Sequence, residues 1–140
     1  MKLRFIFPAL FLLVLCFSPE TFAKDEWLKA RSKNFQLVGN APENDIRQVA
    51  AKFEQFREVF RRLFPKFNFN SPIPTHVIVF KDEQSFRNYK PLDAGGSTLD
   101  WVSGFFQKGD DANYIALSSE NVKQGDYRTI FHEYVHFLVD

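Results

Sequence analysis

The clearest pattern along the chain is a set of apolar positions recurring at three- and four-residue steps: Ile46, Val49, Ala50, Phe53, Phe56, Val59, Phe60, Leu63 and Phe64. That spacing places them on one stripe of an α-helix. Arg47, Lys52, Glu54, Arg57, Glu58 and Arg61 fall mostly off the stripe. Asn40 is positioned to cap this helix, and Pro42 and Glu43 suit its first turn. Pro65 stops it, because its ring clashes with the preceding turn. Packing on a core accounts for the whole pattern, and no binding function is read in it.

Shorter periods bracket this helix. Phe35-Gln36-Leu37-Val38 alternates and predicts a first strand, with Gly39-Asn40 as its turn. Residues 71–74 form a turn, and Thr75-His76-Val77-Ile78-Val79-Phe80 is a β-branched run suited to a buried strand. Asp82 caps a short helix running to Tyr89, and Pro91 follows. Residues 93–98, with Gly95-Gly96, predict a flexible loop. Residues 102–106 and 114–117 are two further strands, joined through the hairpin chemistry of Gly109-Asp110-Asp111-Ala112-Asn113. Gly125-Asp126 opens a last helix with Asp126 as N-cap, and no stop signal follows. The order is strand, long helix, strand, short helix, two strands, helix. That is an α+β layout, one sheet with helices packed on it.

The 140 residues suffice for one domain. The first 23 are expected to be a signal peptide. Met1-Lys2-Leu3-Arg4 is a short basic start, residues 5–17 are almost wholly apolar, and residues 18–23 are more polar and end on Ala23. The apolar run falls short of the ~20 residues a spanning helix needs. Cleavage after Ala23 leaves residues 24–140 as the mature domain. Cys16, the one cysteine, lies in the leader behind Leu15, which is too large for a lipidation site. A mature domain with no cysteine has no disulfide, which fits a bacterial exported protein, periplasmic or extracellular. Net charge is +1 with signs mixed along the chain. No basic stripe recommends nucleic acid as a partner, and no membrane partner is expected after leader removal.

The chemistry sits in the last helix, at His132-Glu133-Tyr134-Val135-His136. Residues i and i+4 of a helix lie one turn apart on one face, about 6 Å along the axis. Two imidazoles so placed can ligate one zinc ion at about 2.0–2.1 Å. Glu133, one step round, falls beside the ion, where it can act as general base toward zinc-activated water. With three histidines in the chain, a chance H-E-x-x-H is an event of about 0.4% by composition, so the motif is read as a signal. Ile130, Phe131, Tyr134, Val135 and Leu138 supply apolar faces for burial. Asp140, four residues past His136, is a candidate to hold a ligand's second ring nitrogen. His76, in a strand run, is read as structural rather than as a third ligand.

The segment Thr129-Ile130-Phe131-His132-Glu133-Tyr134-Val135-His136-Phe137-Leu138 resembles the active-site helix of gluzincin-type zinc metallopeptidases. It is most similar to the peptidase-MA-like domains of exported bacterial proteins, often followed by tetratricopeptide repeats. Trp27, Ser32-Lys33-Asn34-Phe35, the long helix, Val77-Ile78-Val79-Phe80 and Asn113-Tyr114-Ile115-Ala116-Leu117 extend the likeness across residues 25–140. The resemblance implies a zincin-like N-terminal subdomain: a mixed sheet with a long amphipathic helix and a C-terminal active-site helix. It implies zinc as cofactor, a peptide or protein substrate, His132 and His136 as ligands and Glu133 as the catalytic base. It also implies that the strand before the site helix, with Asn113, Tyr114, Ile115 and Ala116, lines the substrate cleft; an edge strand there can take an extended peptide, while an ordinary inner strand is the equal alternative, since the sequence does not show which strand is the edge. In that family the third ligand is a glutamate on a later helix. The chain is therefore expected to be the N-terminal piece of a longer enzyme, a truncated gene product or a fragmentary record, inactive by itself; the resemblance leaves room for tetratricopeptide repeats downstream in a longer parent. The alternative is a non-enzymatic exported zincin-like domain used for binding or as a scaffold.

Overall fold

A computed structural model describes residues 25–139. The signal-peptide assignment and Asp140 lie outside the described residues, as do the side chains of Asn121, Thr129, Ile130, Glu133, His136, Phe137 and Val139. The described elements are β1 (Leu28–Arg31), β2 (Phe35–Gly39), α1 (Glu43–Leu63), β3 (Thr75–Phe80), α2 (Glu83–Arg87), β4 (Gly104–Gln107), β5 (Asn113–Ser118), α3 (Ser119–Lys123) and α4 (Arg128–Val139). The strands form one sheet in the order β1-β2-β3-β5-β4. β2, β3 and β5 run parallel, while β1 and β4 are antiparallel to their neighbours, so the sheet is mixed and the domain is α+β. No described helix is long and apolar enough to cross a membrane.

Strand alternation sorts the side chains onto two faces. Phe35, Leu37, Val77, Val79, Ile115 and Leu117 point to the face covered by α1 and α4, where they join Ile46, Val49, Phe53, Tyr134 and Leu138 in the main core. The other face carries a smaller cluster of Phe80, Phe86 and Ala116 under α2. Gly39 is required where β2 meets β3: a Cβ there would lie 2.1 Å from the carbonyl oxygen of Val79, inside any van der Waals contact. Gly125, at φ +77°, makes the turn between α3 and α4 in a region that L side chains avoid.

Several boundaries differ from the sequence reading. β1 was not expected; it is a short edge strand whose inward residues, Leu28 and Ala30, are too few to show a period. α3 was likewise unforeseen. Its Ser118 side chain caps it locally by accepting from the Glu120 N–H. Asn40 does not cap α1, whose N-cap is Pro42 with no side-chain bond. Asn40 instead donates to Asp25 Oδ2 at 2.9 Å and accepts from the Lys81 N–H at 2.9 Å, tying the end of β2 to the end of β3. α2 is capped by Asp82 as expected but ends at Arg87. α4 starts at Arg128, and the carbonyl of Tyr127 accepts its first backbone bond, so Asp126 stands one residue too early to be its N-cap.

Candidate metal centre

α4 is anchored by Tyr127, Phe131, Tyr134 and Leu138, which recur at four, three and four residues and so form one stripe. Tyr127, Tyr134 and Leu138 are buried and Phe131 is half-buried. Tyr134, inside the motif, is 1% exposed. Its ring centroid lies 5.7 Å from Phe35, 6.1 Å from Phe53 and 6.3 Å from Phe106, so β2, α1 and β4 all grip it. His132 is on the exposed side. Helical backbone continues through residues 132–136 without a break, so His132 and His136 are set one turn apart.

The phenol of Tyr134 is held from behind. Arg57 Nη1 donates to Tyr134 Oη at 3.4 Å, and the same guanidinium donates to the carbonyl of Phe69 and, at 3.3 Å, to Asn70 Oδ1. Burial pushes the Tyr134 phenol above its ordinary pKa, with Arg57 opposing. One turn earlier on α1, Glu54 accepts from Ser32 Oγ at 2.6 Å, the Asn34 N–H at 2.7 Å and Asn34 Nδ2 at 2.5 Å. Burial alone would raise the Glu54 carboxyl; the three hydrogen bonds outweigh it and hold the group below 4.5. A cavity of about 360 Å³ opens here, lined by Arg31, Lys33, Asn34, Arg57, Thr75 and Tyr134 among others. Neither Glu54 nor Arg57 was singled out from the sequence. Their signal was their place at the margin of the apolar stripe of α1, where a charged side chain can reach inward.

The other candidates separate. His76 lies on the sheet face opposite α4, where its ring stacks on Tyr114 at 5.6 Å and 22°. That matches the structural role read for it and removes it from reach of the motif. The sheet order answers which strand is the edge, and among the described residues it is not the strand of residues 113–117. β5 lies between β3 and β4, so its backbone groups are already paired on both sides. Asn113, Ile115 and Ala116 are buried, and Tyr114 is exposed on the face away from α4. Among the described residues the open edge beside α4 belongs to β4, which packs on that helix. Asn113 keeps one unusual property. It is fully buried, and neither its side-chain nitrogen nor its side-chain oxygen has a hydrogen-bond partner among the described residues.

Among the described residues no three His, Cys, Asp or Glu side chains gather as a metal-binding group. What α4 offers is narrower: an exposed imidazole at His132, with Glu133 one residue on and His136 one turn on. No protein-family model, curated protein or solved structure matches the chain.

Proposed function

We propose that this chain carries the metal-binding helix of an exported, zinc-dependent metallopeptidase with a zincin-like N-terminal subdomain. The observation that supports it most is the setting of the motif. An unbroken helix exposes His132 while burying Tyr134 and Leu138, beside an open antiparallel edge strand. The donor chemistry fits zinc, which takes imidazole nitrogen readily. His132 and His136 would hold the ion, and a catalytic site takes a third protein ligand, which in the resembled family comes from a later helix. When bound, zinc supplies activation of water and polarisation of the scissile carbonyl. Glu133 takes the proton from the attacking water on its carboxylate and returns it to the leaving amine. Among the described residues β4 (Gly104–Gln107) is the outer strand of the sheet on the side of α4, the place where an extended peptide would add to the sheet.

Zinc titration of residues 24–140 against a competing chelator tests this reading. Weak, saturable binding is expected, lost in His132→Ala and in His136→Ala and kept in Glu133→Gln. Zinc uptake unchanged by either histidine replacement would falsify it. Tight stoichiometric binding would show that a third ligand lies within residues 24–140.

A further inference from the structure

The even charge balance of the chain points to no membrane partner, and the pattern of α1 reads as core packing. The fold changes this for the last turns of α1. Val49 and Phe53 are fully buried, but Val59 is 50% exposed, Leu63 65%, Phe64 43% and Phe67, just past the helix, 57%. Phe64 and Phe67 continue a row of rings from the half-buried Phe56 and Phe60, and Val59 and Leu63 lie one turn apart on the same helix. Ring centroids run from Phe56 to Phe60 at 4.9 Å, Phe60 to Phe64 at 5.6 Å and Phe64 to Phe67 at 6.1 Å, and Phe56 stacks on Phe131 of α4 at 4.1 Å. Contiguous large apolar groups at a surface mark a contact with something other than water.

The charges around this surface are one-sided. Residues 58–67 contain Arg61, Arg62 and Lys66 against the single acid Glu58, an excess of two positive charges, while Arg57 before them turns inward to Tyr134 and the Phe69 carbonyl. Arg61 and Arg62 both bind Glu58 at 2.8 Å, which fixes two of the cations at the end of the helix. Exposed phenylalanine and leucine beside arginine and lysine match a layer that is apolar beneath and anionic at its surface. A second copy of the chain fits less well, because a two-fold contact would bring the same cationic rims together.

We propose that the end of α1 and the turn after it, centred on Leu63, Phe64 and Phe67, form a docking surface for an anionic lipid bilayer. The apolar side chains enter the boundary between headgroups and acyl chains, and Arg61, Arg62 and Lys66 meet the lipid phosphates. The proposal uses none of the motif residues and stands or falls apart from the zinc reading.

The test is co-sedimentation of residues 24–140, which hold every member of both core clusters, with two kinds of vesicle. One is phosphatidylcholine alone; the other contains phosphatidylglycerol. Retention on the phosphatidylglycerol vesicles is expected, weakening as salt is added. Leu63→Ser with Phe67→Ser should lower vesicle affinity by about tenfold or more, since each removes an apolar side chain from the buried layer. Val59→Ser gives an independent reading from the same side of the helix, and circular dichroism checks that each variant is folded. Arg62→Gln with Lys66→Gln should lower binding to the anionic vesicles only. Equal, salt-independent binding to both vesicles overturns the proposal, as does binding indifferent to Leu63→Ser with Phe67→Ser. Absence of vesicle binding overturns it outright. If absence is joined by self-association that the same double variant abolishes, the surface is an interface between copies.

Discussion

The two faces of the sheet differ in how much they bury and in what that burial holds. The face under α1 and α4 joins buried side chains from six elements around Phe35, Phe53 and Tyr134, with rings meeting at 5.4 to 6.1 Å. The face under α2 carries a smaller apolar cluster, Phe80, Phe86 and Ala116, and leaves His76 and Tyr114 stacked at its surface. The candidate chemistry rides on the heavily packed face. A metal-ligating helix has to keep its donors in place against the pull of an ion, and a residue such as Tyr134, held on three sides, provides that stiffness. The lightly packed face has no such duty, and its one short helix of five residues is fixed by the capping box of Asp82 and Ser85.

The sharpest way to break this comparison is to truncate one ring on each face. Phe53→Ala should cost about 4–5 kcal/mol, the upper end for a buried aromatic, because its cavity is walled by other rings that cannot collapse. Phe86→Ala should cost nearer ~3 kcal/mol, since α2 can settle into the space. Urea denaturation reads both. Equal losses, or a larger loss for Phe86→Ala, would remove the distinction between the faces. Asn113 sharpens the comparison from the opposite direction. Like the Tyr127 hydroxyl, its side-chain amide is a buried polar group with no hydrogen-bond partner among the described residues, and Asn113→Leu should raise stability by about 1–2 kcal/mol as an unpaired buried amide is replaced by a similar apolar volume. A loss of stability would mean that the amide has a partner that matters.

Legibility followed the length of each element's pattern and not the face on which the element packs. α1 shows in the sequence because nine apolar positions repeat over five turns, and β3 because six consecutive residues favour strand. β1 has two inward residues and α3 a single serine cap, signals too short to rise above chance. Asn40 misled because the amide that caps a helix is equally suited to bridging two strand ends. Strand order was beyond reach. That β5 inserts between β3 and β4 depends on a parallel pairing with residues far back in the chain, and this pairing decides which strand is the edge. The motif was legible because its chemistry is contained in five residues of one helix. Its support from Arg57 was not, because Arg57 and Tyr134 are 77 residues apart and meet only once both helices lie on the sheet.

That support gives the two smallest predictions. Tyr134→Phe removes the bond from Arg57 but keeps the ring in its aromatic cage, so it should cost about 1 kcal/mol in urea denaturation and leave zinc affinity unchanged. A large fall in zinc affinity would mean that the phenol, and not the packing, sets the helix. Glu54 acts one turn away and is read by pH. Its folded carboxyl titrates below 4.5, so the stability it contributes is fully present above that value. It is lost as pH falls through the lower, folded-state value, where the carboxylate that accepts from Ser32 and Asn34 becomes protonated. Glu54→Gln should therefore be less stable than the parent at pH 7, by on the order of 0.5 kcal/mol given its partial exposure, and the gap should narrow as pH falls below 4.5. A gap that stays constant across that range would show that Glu54 holds the β1–β2 turn by shape alone. The link from that turn through α1 to the motif helix would then owe nothing to its charge.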